Sequence, residues 1–339
     1  MADQQQPVAA VVRLVDIDAV RDAATVLRGV AVRTPLVPFG PPAERRFLKA
    51  ESLQPIGAFK IRGAYNAVAS LSPDERARGV ITYSSGNHAQ GVARAARLLG
   101  ARAVVVMPSD APALKKARVE ADGAEVVMVG PSSDERQRVA EELAGGRGLA
   151  IIPPFDDDRI IAGQGTVGLE IVEDLRDVAA VVIPIGGGGL ASGVAVAVRV
   201  LAPDARLIGV EPELAADARQ SLAEGRIVRW PASDVSRTIA DGTRTTALGV
   251  RTFAHLSRLL DAIVTVSEAE IAAGVRLAAE ESRLVVEPSG ALSVAALAFR
   301  SSEAGLDRLD GPVVAVVSGG NVDPDQYRTY LAVAIPPRG

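Results

Sequence analysis

The chain has 339 residues, a formal net charge of -4, 48% hydrophobic and 3% aromatic residues, enough for a large core in two domains but with no basic stripe or stacking platform for nucleic acid. It has no cysteine and two histidines, His88 and His255, which excludes a cysteine nucleophile, a disulfide framework and a structural zinc site. A Ser-His-Asp triad would need one of those imidazoles and a G-x-S-x-G elbow, and the chain has no such elbow.

The first seven residues, Met-Ala-Asp-Gln-Gln-Gln-Pro, put an acid where a signal peptide needs base, and Arg13 and Asp16 break the apolar stretch that follows. A cytoplasmic protein is expected. Lys60 comes next, in Pro55-Ile56-Gly57-Ala58-Phe59-Lys60-Ile61-Arg62-Gly63-Ala64, and it is one of only four lysines against thirty-three arginines. Its apolar neighbours disfavour the ammonium form, and a free amine attacks a carbonyl to form a Schiff base, which a guanidinium cannot do. A lysine snorkelling from the start of a helix would have the same local sequence.

Beyond it, short Val/Ile-rich runs alternate with stretches of helical length, the pattern of parallel strands with crossover helices. Strands are predicted at 79–82, 103–107, 125–129, 178–185, 207–210, 262–266 and 313–317. Helices are predicted at 89–99, 112–122, 134–144, 160–175, 190–201, 267–281 and 289–300. The uncharged run 178–198 is long enough to span a membrane, but Pro184 and four glycines divide it, so it reads as a buried strand, a turn and a buried helix. Pro153-Pro154-Phe155-Asp156-Asp157-Asp158 is the best boundary signal.

In a doubly wound α/β protein, ligands sit beyond the carboxyl ends of the strands, and three loops there stand out. Ser84-Ser85-Gly86-Asn87-His88 opens a helix and offers hydroxyls and first-turn amides to a carboxylate, though ordinary N-capping would look the same. Ile185-Gly186-Gly187-Gly188-Gly189-Leu190 runs from strand to helix and suits a phosphate. Gly186, Gly188 and Ala191 also satisfy a loose dinucleotide fingerprint, with Glu211 at the next strand end, so an NAD-binding oxidoreductase stays open at this point. Val317-Ser318-Gly319-Gly320-Asn321 follows the last strand and places Ser318 to bond a ligand's ring nitrogen, though a mere turn would look the same.

Taken together and in order, these segments resemble the fold-type II pyridoxal-phosphate enzymes, and more closely the serine/threonine dehydratase and serine racemase family. The resemblance covers residues 16–325 and rests on Gly57-Ala58-Phe59-Lys60-Ile61-Arg62-Gly63-Ala64, Ser85-Gly86-Asn87-His88-Ala89-Gln90-Gly91, Ile161-Ala162-Gly163-Gln164-Gly165-Thr166 and Ile239-Ala240-Asp241-Gly242. It implies two doubly wound open sheets of the tryptophan synthase β type, with pyridoxal 5'-phosphate between a large domain, 1–74 and 154–339, and a small domain, 75–153. Lys60 would hold the cofactor as a Schiff base and take the substrate Cα proton, with Phe59 shielding the ring. Asn87 would bond the 3-hydroxyl, Gly186, Gly187, Gly188 and Gly189 the phosphate, and Ser318 the pyridine nitrogen, with Gly242 also at the cofactor. Ser84, Ser85, Asn87 and His88 would surround the substrate carboxylate.

Two departures bear on the activity. Ala58 stands where many relatives have Ser, and Ser85 stands where dehydratases often have Ala and racemases have the acid/base of the opposite ring face. Glu211, the Ala215 carbonyl and Asp217 resemble the divalent-cation loop of the racemase branch, suited to Mg²⁺ or Ca²⁺. No C-terminal regulatory domain is expected, and homodimers are usual in the family. The expected activity is β-elimination on L-threonine or L-serine, giving a 2-oxo acid and ammonia. A racemase on the same scaffold and a lyase for a larger β-hydroxy amino acid are the alternatives.

Overall fold

The computed structural model describes residues 12–84, 86–109, 111, 113–130 and 133–338. Two sheets carry the architecture. The larger contains β1 (Leu36–Phe39), β2 (Arg46–Ala50), β7 (Ala180–Pro184), β8 (Arg206–Pro212), β9 (Ala262–Val266) and β10 (Val313–Val317), in the order β1-β2-β10-β7-β8-β9. The smaller contains β3 (Val80–Tyr83), β4 (Ala103–Pro108), β5 (Glu125–Val129) and β6 (Ala150–Ile151), in the order β5-β4-β3-β6. Every pairing is parallel except β1 with β2.

The seven predicted strands are present with their ends shifted by a few residues, and the predicted helices likewise. β1, β2 and β6 were not predicted. β1 contains Pro38 and is tolerated because it lies at the sheet edge, where a missing N-H costs no ladder bond. β6 is only two residues long. β7 and β10 are buried along their whole length, which is why they read as unbroken Val/Ile/Ala runs.

The helices Lys60–Ala69, Asp158–Asp174 and Gly189–Leu201 pack closely through glycine. A Cβ on Gly163 would come within 2.6 Å of the Gly63 Cα, and one on Gly193 within 2.2 Å of the Ile161 carbonyl oxygen. The Gly163-Gln164-Gly165 block is therefore a helix-packing device, with Gln164 Oε1 accepting from the Gly63 N-H at 3.3 Å.

Candidate active site

The carboxyl ends of β3, β7 and β10 converge on a cavity of about 580 Å³. It is lined by the predicted residues Phe59, Lys60, Ser84, Asn87, His88, Gly186 to Gly189, Gly242 and Ser318, and also by Gly86, Pro154, Phe155, Asp241 and Glu287, to which the sequence assigns no site role. Ser85 lies outside the described residues. Glu211, Ala215 and Asp217 are not among the lining residues.

Lys60 begins its helix, and the preceding backbone is stitched to the loop after β10. Phe59 N-H donates to the Ser318 carbonyl at 3.0 Å, Gly320 N-H to the Gly57 carbonyl at 2.9 Å, and Ala58 forms a bridge with Gly319. The amine donates to the Pro154 carbonyl at 2.7 Å and sits 5.1 Å from the centroid of the Phe59 ring. Among the described residues no carboxylate pairs with it, and burial pulls it down from 10.5 to about 8. Lys49 is the contrast: equally rare as a residue type and fully buried, it is bound to Glu170 at 2.7 Å and to the Thr34 carbonyl at 2.6 Å. Rarity did not distinguish these two lysines; their partners do.

Each glycine of the turn has its own reason. Gly188 has φ of +89°, where an L side chain is strained, and a Cβ there would also lie 2.9 Å from Thr252 Cβ. A Cβ on Gly187 would lie 2.1 Å from the Phe155 ring, so this glycine makes room for an aromatic side chain. Among the described residues the N-H groups of Gly186 to Gly189 have no acceptor, and they open the thirteen-residue helix Gly189–Leu201, a combination that binds an anion. Gly188→Val is expected to weaken pyridoxal-phosphate affinity at least about tenfold and to lower the thermal midpoint, since a left-handed L-residue alone costs roughly 1–2 kcal/mol. Unaltered affinity in a cofactor titration would refute this role for the turn.

Asn87 is held at both ends of its amide. Nδ2 donates to Glu287 Oε1 at 2.6 Å, and Oδ1 accepts from Asn321 Nδ2 at 2.8 Å, leaving one N-H hydrogen to spare. Burial, then the nearby Asp241 carboxylate, push the Glu287 carboxyl up to about 7. His88 is buried, its Nε2 donates to the Ile152 carbonyl at 3.1 Å, and burial together with the Lys60 charge pulls it down to about 3, so it is neutral. Among the described residues the Ser318 hydroxyl makes only a long bond, 3.4 Å, to the Ser289 carbonyl. Gly242 borders the cavity with its N-H already committed to Ser289 Oγ at 2.8 Å.

The segment taken for a domain boundary builds the site. The Ile152 carbonyl holds His88, the Pro154 carbonyl holds Lys60, Phe155 covers the glycine turn, and Asp156 accepts from the N-H groups of Val250, Arg251 and Thr252 at the start of the helix Val250–Leu259. Prolines beside a run of acids mark it as a boundary; only the fold shows what its carbonyls face.

A model of the pyridoxal-phosphate dependent enzyme family matches residues 27–319. The chain belongs to that family. It is 41% identical to the L-threonine ammonia-lyase of Thermotoga maritima over 91% of this chain and 76% of that protein. It is 40% identical to the L-threo-3-hydroxyaspartate ammonia-lyase of Saccharomyces cerevisiae over 84% of this chain and 86% of that protein. The solved structure of maize serine racemase superposes with a TM-score of 0.88 at 35% identity, covering 94% and 97% of the two chains. The family decides between the two cofactor readings of the glycine turn in favour of pyridoxal phosphate. Glu211, the residue an NAD reading would turn toward a ribose, has its oxygens engaged by the N-H groups of Ala218 and Arg219 at 2.9 and 2.7 Å.

Proposed function

We propose that this enzyme is an ammonia-lyase acting on L-threonine or L-serine, and the observation that carries the proposal is the half-buried Lys60 amine, with no carboxylate partner among the described residues, lining one cavity with glycine N-H groups that have no acceptor among those residues. Bound pyridoxal phosphate supplies the electron-accepting ring that acidifies the substrate Cα-H. The glycine N-H groups and the helix dipole would take the phosphate, and the spare Asn87 hydrogen the 3-oxygen. Ser318 offers a hydroxyl and no charge, so the ring nitrogen stays largely unprotonated and the ring a modest electron sink. A leaving group at Cβ then favours elimination. Lys60 takes the Cα proton, and the N-H groups at the start of the helix Asn87–Leu98, with Ser84 and Ser85, hold the substrate carboxylate. Neutral His88 completes that wall without adding charge.

The cations at the cavity are engaged by the protein itself: Lys115 with Asp241, Arg229 with Thr246, Arg244 with the Thr238 carbonyl, and Arg136 with a partner as well. This favours an uncharged β-substituent over a second carboxylate. The test is 2-oxo acid formation from L-threonine, L-serine and L-threo-3-hydroxyaspartate. A kcat/KM at least about tenfold higher for the dicarboxylate would remove the threonine/serine assignment and leave the lyase in place. A cytoplasmic homodimer, as the family resemblance implies, is part of the proposal and is checked by sedimentation of the purified protein.

We also propose a divalent cation at Glu211, Ala215 and Asp217, on the state of the two acids. Both carboxylates are buried, and Asp217 Oδ2 has no hydrogen-bond partner. Burial and then the Asp217 charge push Glu211 well above the carboxylate range, and burial pushes Asp217 up to about 7. Two buried acids side by side need a proton or a cation, and Mg²⁺ or Ca²⁺ would supply the charge through all-oxygen ligation. The thermal midpoint of the enzyme is expected to fall on chelation and recover with Mg²⁺, and that of Glu211→Gln/Asp217→Asn to respond to neither. A midpoint in the unmodified enzyme that ignores both treatments rejects the site.

A further inference from the structure

Lys60 stands at the weakest point of its helix. The N-cap residue Phe59 offers no side-chain cap, so the first turn, which carries the amine, lacks the usual local restraint. Two residues on, Arg62 points about 200° away from Lys60 around the helix axis at about 100° per residue. It is buried, 1% exposed, and its guanidinium is saturated. Nε and Nη2 form a fork on Glu51 at 2.7 and 2.8 Å, and Nη1 and Nη2 a second fork on Glu170 at 2.7 and 2.9 Å. Thr166 Oγ1 and the Val32 carbonyl accept the remaining contacts at 3.0 and 3.1 Å.

The acids are themselves fixed. Glu51 accepts from Thr34 at 2.6 Å and from Gln54 at 3.1 Å, and Glu170 accepts from Lys49 at 2.7 Å. The quartet of Lys49, Arg62, Glu51 and Glu170 is neutral in sum and draws on β2, the segment just after it, and the helix Asp158–Asp174. A buried ion cluster gives little net stability over an apolar one of the same shape, but two bidentate forks set a direction and a depth that apolar packing does not.

We propose that Arg62 is the positioning residue of Lys60: its forks on Glu51 and Glu170 fix the roll and depth of the first helical turn, so that the amine on the opposite side meets the cofactor's aldehyde carbon. The proposal rests on the pyridoxal-phosphate reading of the site. A lysine at position 62 keeps the charge and loses both forks.

In Arg62→Lys, saturating pyridoxal phosphate should still occupy the site through the intact glycine turn. At equal occupancy, the fraction of bound cofactor that borohydride fixes on the Lys60 peptide is expected to fall from nearly all to less than about half. The kcat should fall about 10²-fold with KM changed by less than about threefold, the cost of a misplaced reacting group. Arg206→Ala, which removes bonds to the Ala304 and Gly305 carbonyls at the far end of β8, serves as the stability control and should lower the thermal midpoint without changing the fixed fraction. An Arg62→Lys enzyme with a lower midpoint but an unchanged fixed fraction and kcat per occupied site overturns the positioning role. If Arg62→Lys does not fold, Glu170→Gln, which spares the Glu51 fork, must lower the fixed fraction part of the way, and no change there overturns the proposal equally. Absence of bound cofactor in the unmodified enzyme would strike the functional reading instead, so the two failures are distinct.

Discussion

Lys60→Ala is expected to abolish 2-oxo acid formation, a loss of at least about 10³-fold, because one substitution removes both the attachment point of the cofactor and the base for the Cα proton. Positioned acid-base groups alone contribute roughly 10²- to 10⁴-fold. Borohydride should fix pyridoxyl mass on the peptide containing Lys60 in the unmodified enzyme and nowhere in the variant. Lys60→Arg should not restore turnover, since a guanidinium stays charged and cannot form the Schiff base. A Lys60→Ala enzyme that keeps more than about a tenth of its rate would end the assignment.

The same residue carries a stability signature with a definite sign. Burial lowers the folded-state pKa of the amine from 10.5 to about 8, so in the cofactor-free protein a half-buried ammonium with no carboxylate partner among the described residues is destabilising at pH values below that. The penalty, about 3 kcal/mol for a shift of this size, is relieved as pH rises from about 8 toward 10.5. Cofactor-free Lys60→Met is therefore expected to unfold at a higher temperature than the unmodified chain at pH 7, with the gap closing at alkaline pH. Equal midpoints at pH 7 would mean that the amine is solvated.

Ser85→Ala is expected to separate two activities. Racemisation needs a second proton donor on the ring face away from Lys60, whereas elimination can be completed from the lysine side with the phosphate near the leaving hydroxyl. Conversion of L-serine to pyruvate should survive at a reduced but measurable rate, while any interconversion of L- and D-serine should fall by about 10²- to 10⁴-fold. The readout is pyruvate release alongside chiral analysis of the remaining serine. A racemisation rate that does not change would place the opposite-face acid on another residue. Racemisation far faster than pyruvate release in the unmodified enzyme would displace the lyase proposal in favour of the racemase.

The candidate site was legible to different depths. Lys60, the serine-asparagine loop, the glycine turn and Ser318 could be named because each is a chemical type or a glycine at a strand end, and the parallel fold places strand ends together. Glu287 could not. It lies in an ordinary Val-Val-Glu-Pro stretch, and its value as a clamp on Asn87 arises from a contact two hundred residues away in sequence. The Pro154 carbonyl and Phe155 were missed for a different reason: proline and acid-rich composition marks a chain break whether or not the break lines a cavity.

From its own order of residues the chain specifies parallel strands, crossover helices and the chemistry of the blocks, because hydrophobic period, glycine and a rare amine are local properties. β1, β2 and β6 escaped that reading because each is short, charged or interrupted by proline and exists as a strand only through the neighbour it pairs with. Arg62 reads as one more arginine in a helix; its forks to Glu51 and Glu170 come from elements 11 and 108 residues away. Likewise, nothing in the sequence separates Lys49 from Lys60 as a buried lysine. Protonation and orientation depend on which carboxylate lies within hydrogen-bond reach and how much water is excluded, and only the packed structure decides that distance.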